Sequence, residues 1–189
     1  MRVAIFGGTF DPVHTAHLTA AREAANIFGL DKVLFVPAAN PPHKIESTSA
    51  SYQDRYEMVR LVCPEDPRFE ASRLEEGCGK SYSILTIERV KARLSPADTL
   101  FFLIGADAFA DLESWKRWED VVQSVEFLVV TRPGHRYEAP PGARFHSLET
   151  LALPVSSSEI RQQLAAGLPP EDLPPVVLDY VLGQGLYRS

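Results

Sequence analysis

Residues 4–18 read AIFGGTFDPVHTAHL, an apolar run that leads through two glycines into a segment with helical spacing. Short runs rich in β-branched and aromatic residues are typical of strands, and glycines at a strand end permit a tight turn. The segment from about 15 to 28 places apolar residues on one helical stripe, namely Leu18, Ala21, Ala25 and Phe28. The opening of the chain therefore predicts a strand, a glycine turn and a helix.

The same alternation of strand and helix continues along the chain. Further strand-like runs occupy 32–37, 68–72, 99–105 and 126–131, the first strand covers 2–6, and helical spacing recurs over 51–62 and 82–94. Strands that alternate with helices favour a parallel sheet covered on both faces. We predict an α/β fold with a Rossmann-like, doubly wound, mostly parallel sheet and helices on both faces.

The composition changes after residue 132, where eight of the fifteen prolines lie. Proline fixes φ and removes a donor, so this stretch begins as a loop. It continues with a short strand at 143–147, a helix from near Ser157 and a last helix over about 175–182. We predict one domain over 1–189, with a small C-terminal helical addition from about 155 to 189.

The overall charge limits the classes of partner. The net charge is −6 and the pI about 5.4, which argues against broad binding to nucleic acid or to an anionic membrane surface. The apolar runs are too short to span a bilayer. Two cysteines and a first strand without a charged leader indicate the cytoplasm. An anionic ligand must then be held by a local cluster of side chains.

The first turn has three interpretations. Its place beyond the end of a strand and before a helix favours a phosphate cradle. His14 and His17, three residues apart, could instead ligate zinc or iron together with Asp11. In the third interpretation Asp11 caps the helix and both histidines are solvated. The glycine turn favours phosphate, so we predict no metal ion bound by the protein itself.

Two later segments could complete such a cradle. His43 and Lys44 follow the second strand in NPPHK (40–44), which in isolation would be a solvated loop. Ser156 and Ser157 could simply cap the helix that carries Arg161, but hydroxyls, free N–H groups and a guanidinium at one helix start also suit a phosphate. Given the first turn, phosphate contact by His43 and Lys44 is the better interpretation.

The remaining candidates lie further along the sheet edge. Asp107 follows the strand that ends at Gly105, and either caps a helix or binds ribose hydroxyls. Trp115 and Trp118 usually mean core packing, although a flat heterocycle can stack on an indole. Isolated arginines such as Arg55, Arg60 and Arg132 are usually surface residues, and only Arg132, beside the end of the fifth strand, is a candidate.

GGTFDPVHTAHL (7–18) closely resembles the opening motif of bacterial nicotinate-nucleotide adenylyltransferases. These enzymes belong to the nucleotidyltransferase superfamily, whose shared mark is a His-x-x-His element after the first strand. Other segments resemble that family in the same order along the whole chain: VPAANPPHK (36–44), FFLIGAD (101–107), SWKRWEDV (114–121), RPG (132–134), VSSSEIR (155–161) and YVLGQGLYRS (180–189).

The resemblance implies adenylyl transfer from ATP to nicotinate mononucleotide, giving nicotinate adenine dinucleotide and pyrophosphate, with Mg²⁺ carried on the ATP phosphates. It implies catalytic roles for His14, His17, Lys44 and Arg161. It implies ATP or phosphate binding by Gly7, Gly8, Thr9, Phe10, His43, Ser156, Ser157 and Ile160. It implies nucleoside or nicotinate binding by Ser83, Gly105, Asp107, Trp115 and Arg132.

The chain departs from the family pattern at two places. Ala16 stands between the histidines where the family usually has glycine, and SYSILTI (81–87) has Ser83 and Leu85 where threonine and aspartate are common. The second departure leaves nicotinamide mononucleotide open as an alternative acceptor. A metal-dependent hydrolase and a catalytically silent nucleotide-binding module are the alternatives from other classes.

Overall fold

The structure is a computed structural model that describes residues 1–40, 49–77, 79–150 and 155–188. Its strands are β1 (Arg2–Gly8), β2 (Lys32–Pro37), β3 (Phe69–Ala71), β4 (Thr99–Gly105), β5 (Glu126–Thr131) and β6 (Phe145–Glu149). Its α-helices are α1 (Thr15–Ile27), α2 (Tyr52–Val62), α3 (Ser83–Lys91), α4 (Ala106–Ala110), α5 (Trp118–Ser124), α6 (Ser157–Ala165) and α7 (Pro175–Gln184).

The strands form one parallel sheet in the order β3-β2-β1-β4-β5-β6. The chain builds outward from β1 to β3, then crosses back over α3 so that β4 pairs with the free side of β1. The strand order therefore reverses between β1 and β4, and their carboxyl ends lie side by side at Gly8 and Gly105. The predicted doubly wound, Rossmann-like fold is confirmed.

Strand side chains alternate between the two faces of the sheet, and helices cover both faces. On β1, Ala4 packs on one face with apolar residues of α1, α2, α6 and α7. Val3 and Ile5 pack on the other face with α3, α4 and α5. The apolar stripe predicted for α1 covers the first face. Helix α2 covers it with Met58, Val59 and Val62, and not with Tyr52 and Tyr56, which its spacing also predicts on the stripe.

The chain between β4 and β5 differs most from the sequence-based prediction. It contains α4 and α5, of five and seven residues, and a 3₁₀ turn over Leu112–Ser114. Helices this short hold too few turns for hydrophobic periodicity to reveal them. Elsewhere the deviations are small: the helix predicted to reach residue 94 ends at Lys91, and the strand predicted at 143–147 is Phe145–Glu149. Within the described ranges, no helix has the length and apolarity needed to cross a bilayer.

Candidate active site

Two adjoining clefts open at the carboxyl ends of β1 and β4. The first has a volume of about 650 Å³ and the second about 360 Å³, within the range of small-molecule sites. Phe6, Gly105 and Ala108 line both clefts. This is the point where the strand order reverses, which is the usual position of a ligand crevice in an open α/β sheet.

The clefts divide most of the predicted site residues between them. The first is lined by His14, Ala16, His17, Asp107, Arg132, Ser156 and Ser157, and the second by Gly7, Gly8, Thr9, Ser83 and Trp115, while Gly105 belongs to both. Three predicted residues line neither cleft: Phe10, Ile160 and Arg161. His43 and Lys44 lie outside the described residues.

His14 and His17 form a stacked pair at the start of α1. Their ring centroids are 3.7 Å apart, with 28° between the planes. His14 is the N-cap residue, and its backbone N–H donates to Nδ1 of His17 at 3.2 Å. Since Nδ1 of His17 accepts, the neutral ring carries its proton on Nε2. Nδ1 of His14 is buried and has no hydrogen-bond partner among the residues described.

Burial keeps both imidazoles neutral. His14 is only 4% exposed, and this burial lowers its pKa to about 4. Burial, and secondly the charge of His14, lower the pKa of His17 well below its ordinary value. At neutral pH the pair therefore offers uncharged N–H donors to the first cleft, and a bound phosphate would favour their protonation.

Asp11 does not serve as a helix cap. It is 3% exposed, and its carboxylate accepts hydrogen bonds from the backbone N–H groups of Ser49 at 2.8 Å and Ala50 at 3.1 Å. A third bond comes from the hydroxyl of Tyr187 at 2.6 Å. The interpretation of Asp11 as N-cap is wrong, because His14 occupies that position. Across the residues described, no three His, Cys, Asp or Glu side chains are grouped to hold a metal ion.

The backbone carbonyls of the first turn are also held by side chains. Nη1 of Arg55 donates to Thr9 O at 2.7 Å, Nη1 of Arg161 to Asp11 O at 2.8 Å, and Oγ of Ser157 to Pro12 O at 3.1 Å. Arg161 also donates to Oγ of Ser158 at 3.3 Å. Arg161 and Ser157 thus fix the shape of the turn, in addition to any contact with a ligand.

Arg55 is the main functional residue that sequence reasoning missed. It was interpreted as a surface arginine, but it is 0% exposed, and burial lowers the pKa of its guanidinium. The signal was present in the sequence: Arg55 lies on the stripe of α2 that also carries Met58, Val59 and Val62. A charged residue in line with buried apolar residues must find buried acceptors, and Thr9 O is one of them.

Gly8 is required by the packing of the turn itself. A Cβ atom at Gly8 would lie 2.9 Å from the ring of Phe10, which is 2% exposed and has a φ of 50°. A Cβ at Gly7 would make an ordinary contact of 3.6 Å with Phe102, and one at Gly105 would meet nothing within 4 Å. The ring of Phe10 therefore leaves no room for a side chain at Gly8. The absence of a side chain at Gly105 leaves open space where the clefts meet.

The start of α6 lies at the first cleft. Ser156 is its N-cap, and its Oγ accepts the N–H of Glu159 at 3.1 Å, so the predicted capping role is confirmed. Ile160 is buried at 2% exposure in the core beneath the helix. A contact between Ile160 and ATP would have to use its backbone.

The edges of the clefts hold the aromatic and acidic candidates. Trp115 is partly buried and meets Phe102 edge-on, with 6.0 Å between ring centroids, whereas Trp118 packs against the apolar cluster as predicted. The side chain of Asp107 is 98% exposed and lies 3.6 Å from Nε2 of His135. His135, which lines the first cleft, was not foreseen, since it lies in a proline-rich loop.

The described residues on either side of positions 41–48 are hydrogen-bonded to the first turn. On one side the N–H of Ala38 donates to Gly8 O at 2.8 Å. On the other side Ser49 and Ala50 donate to the Asp11 carboxylate. Ala38 on one side of positions 41–48 and Ser49 and Ala50 on the other are thus each hydrogen-bonded to residues of the first turn.

The parallel sheet, the reversal of strand order and the histidine pair at the first helix define a nucleotidyltransferase. Residues 5–163 match the family model described as cytidylyltransferase-like. The chain is 59% identical to the probable nicotinate-nucleotide adenylyltransferase of Solibacter usitatus, over 100% of both chains, and 43% identical to that of Thermus thermophilus, also over 100% of both. The chain belongs to the nicotinate-nucleotide adenylyltransferase family, so it is a nucleotidyltransferase of NAD biosynthesis, and the resemblance is confirmed.

Solved structures agree with this fold. The nicotinic acid mononucleotide adenylyltransferase of Plasmodium falciparum, complexed with NaAD, superimposes with a TM-score of 0.81 at 20% identity, covering 98% of this chain and 97% of that one. A structure of the same enzyme complexed with APC gives a TM-score of 0.79 at 20% identity, with coverages of 98% and 96%.

Replacing Tyr187 by phenylalanine tests the bond to Asp11. The variant leaves a buried carboxylate without one of its three donors, and we expect the free energy of unfolding to fall by about 1–3 kcal/mol. Tyr180→Phe is the matched control, because that hydroxyl donates at 3.0 Å to Asp54, which is only half-buried whereas Asp11 is buried. Urea denaturation measures both variants. Equal losses in the two would contradict a special role for Tyr187.

The buried pair also predicts a pH dependence of stability. Unfolded His14 takes up a proton near its ordinary pKa of 6.5, whereas the folded state resists this until about pH 4. Stability should therefore fall as the pH drops from 6.5 to 4, by about 1.4 kcal/mol per pH unit for one such group. His14→Asn should flatten this slope in urea titrations at several pH values. Parallel curves for wild type and variant would contradict the prediction.

Proposed function

We propose that ATP binds in the first cleft and nicotinate mononucleotide in the second, and that the adenylyl group passes between them where the clefts meet. The observation that carries this proposal is the junction itself: two clefts share Phe6, Gly105 and Ala108, beside the stacked histidines and the N-terminus of α1. Two substrates held in this way bring a phosphate of one against the phosphate chain of the other.

The reaction needs no protein nucleophile. A phosphate oxygen of the mononucleotide attacks the α-phosphorus of ATP, a new P–O bond forms, and the bond from the α-phosphorus to the bridging oxygen breaks as pyrophosphate leaves. Transfers of this type depend mainly on positioning and on stabilising charge on the phosphate oxygens. The similarity to probable nicotinate-nucleotide adenylyltransferases supports these two substrates.

The histidines act as donors to the phosphates. Nε2 of His17 carries a proton because Nδ1 is occupied by the N–H of His14. Both rings line the first cleft, and the negative charge of a phosphate bound there would favour uptake of a proton from solvent by His14, whose Nδ1 is otherwise without a partner among the described residues. In this proposal the pair stabilises charge that moves onto the leaving pyrophosphate.

The other proposed contacts are supplied from both sides of the first cleft. Ser156 and Ser157 lie at the free N–H groups of α6, where an anion is favoured. Arg161 donates two of its N–H groups to Asp11 O and to Oγ of Ser158. A guanidinium has five N–H groups, so the remaining ones are proposed to bind phosphate. Asp107 and Arg132 line the same cleft and are proposed to contact the nucleoside. Lys44 and His43 keep their proposed phosphate roles on the resemblance alone.

Magnesium fits this site as a companion of ATP. Asp107 is the one carboxylate among the described residues that line the first cleft, so an Mg²⁺ ion there would be held by phosphate oxygens, water and at most this side chain. Bound in that way, it would neutralise charge on the phosphates.

From the charge balance and the resemblance we also propose that the enzyme acts in the cytoplasm as a single domain, without nucleic acid or membrane.

Initial rates of pyrophosphate release test the proposed reaction. Purified enzyme with Mg²⁺ and ATP should release pyrophosphate with nicotinate mononucleotide, and more slowly with nicotinamide mononucleotide. A faster rate with the amide would favour the alternative acceptor. Release with neither acceptor would overturn the proposal and leave the silent nucleotide-binding module.

Replacing His17 by asparagine tests the donor role. Removal of one such donor typically lowers kcat by about 10²–10³-fold, and we expect a loss of this size with ATP and nicotinate mononucleotide. His146→Asn is the matched control, because His146 lies on the edge strand β6 beside Glu126 and lines neither cleft. Circular dichroism should show both variants folded. A folded His17→Asn enzyme with the wild-type kcat would contradict the mechanism.

A further inference from the structure

Lys116 is the one lysine or arginine among the described residues that line the second cleft. Its Nζ lies 4.2 Å from the ring centroid of Tyr82, and Tyr82 lines the same cleft. The face of an aromatic ring attracts an ammonium group but does not neutralise its charge, so the charge of Lys116 can still pair with an anion. In the part of the chain that the structure describes, no carboxylate forms an ion pair with Lys116.

Two carboxyl groups also line the second cleft, and both are engaged. Glu75 is 7% exposed, and it accepts hydrogen bonds from Oγ1 of Thr86 at 2.7 Å and from the N–H of Ala39 at 3.3 Å. Asp111 accepts from Oγ of Ser114 at 2.8 Å. Without Lys116, the described lining would carry only negative formal charge, which repels an anionic ring substituent.

The start of α3 adds a second favourable term at the same place. Ser81, Tyr82 and Ser83 line the cleft, and α3 begins at Ser83 with Tyr82 as an N-cap whose side chain makes no capping bond. The first N–H groups of a helix lack intrahelical partners and favour an anion. The cation of Lys116 and these N–H groups therefore lie around one end of the cleft.

Trp115, the neighbour of Lys116 in the chain, supplies the flat surface. It lines the second cleft and packs against Phe102, with 6.0 Å between the ring centroids and 72° between the planes, and an indole that lines a cleft can stack on a flat ring. A pyridine ring stacked there would carry its substituent close to the residues that surround Lys116. The chemistry that Lys116 recognises best at this position is a carboxylate.

We propose that Lys116 is a specificity-determining residue, whose ammonium group pairs with the ring carboxylate of the acceptor and so selects the acid mononucleotide over the amide. This inference rests on the proposed function, because it assigns the acceptor to the second cleft. The side chain is exposed to solvent, so the pair is screened, and we expect selectivity of about two- to fivefold from this one contact.

The experiment compares Lys116→Met and Lys116→Arg with wild type, using ATP and either nicotinate or nicotinamide mononucleotide. Lys116→Met should lower kcat/KM for the acid about two- to fivefold, through KM and with kcat retained, and leave kcat/KM for the amide unchanged or raised. Lys116→Arg should restore most of the preference. Lys91→Met is the matched control, because Lys91 is exposed at the end of α3 and lines neither cleft.

The outcomes separate this inference from the proposed function. An unchanged ratio of acid to amide in Lys116→Met, or an equal loss with both acceptors, overturns the role of Lys116 while the reaction stands. If wild type releases no pyrophosphate with either acceptor, the proposed function fails. Calorimetric titration of wild type and Lys116→Met with each mononucleotide then decides the role of Lys116: weaker binding of the acid alone supports it, and any other result overturns it.

Discussion

The buried carboxylate of Asp11 is the contact on which the site depends. A charge at 3% exposure is tolerated only where donors surround it, and here those donors come from the chain beyond residue 48 and from Tyr187 near the C-terminus. Tyr187 has a φ of 59°, a left-handed conformation that is unusual for tyrosine and that directs its hydroxyl to this acceptor. One side chain thus joins the first turn to distant parts of the chain.

The turn above Asp11 is determined by side chains rather than by backbone pairing. Arg55, Arg161 and Ser157 each donate to a carbonyl between residues 9 and 12, and Phe10 packs beneath Gly8. The histidine pair begins directly after this turn, so its position depends on these contacts. Two protonated imidazoles stacked at 3.7 Å would repel each other. Burial keeps both rings neutral, so they can stack in the absence of an anionic ligand.

Much of the fold could be predicted because its strands and long helices repeat with the period of their buried face. The strands β1, β2, β4 and β5 and the helices α1 and α2 lie where the pattern indicated, within a few residues. The pattern failed at α4 and α5, which hold at most two turns each. The pattern also failed to predict the burial of Arg55. A charged residue on an apolar stripe is normally taken as exposed, and the acceptor that permits its burial, Thr9 O, is known only from the structure.

The sequence by itself determined the strand, glycine turn and helix of GGTFDPVHTAHL and the family to which the chain belongs, because these follow from local spacing and from motifs in order. Only the tertiary structure decided what Asp11, Arg55 and Tyr187 do, and which residues share a cleft. The hydrogen bonds between Asp11 and Ser49, between Arg55 and Thr9 and between Tyr187 and Asp11 span 38 to 176 residues along the chain. Contacts over such separations arise from the folding of the sheet and its helices, and no local pattern records them.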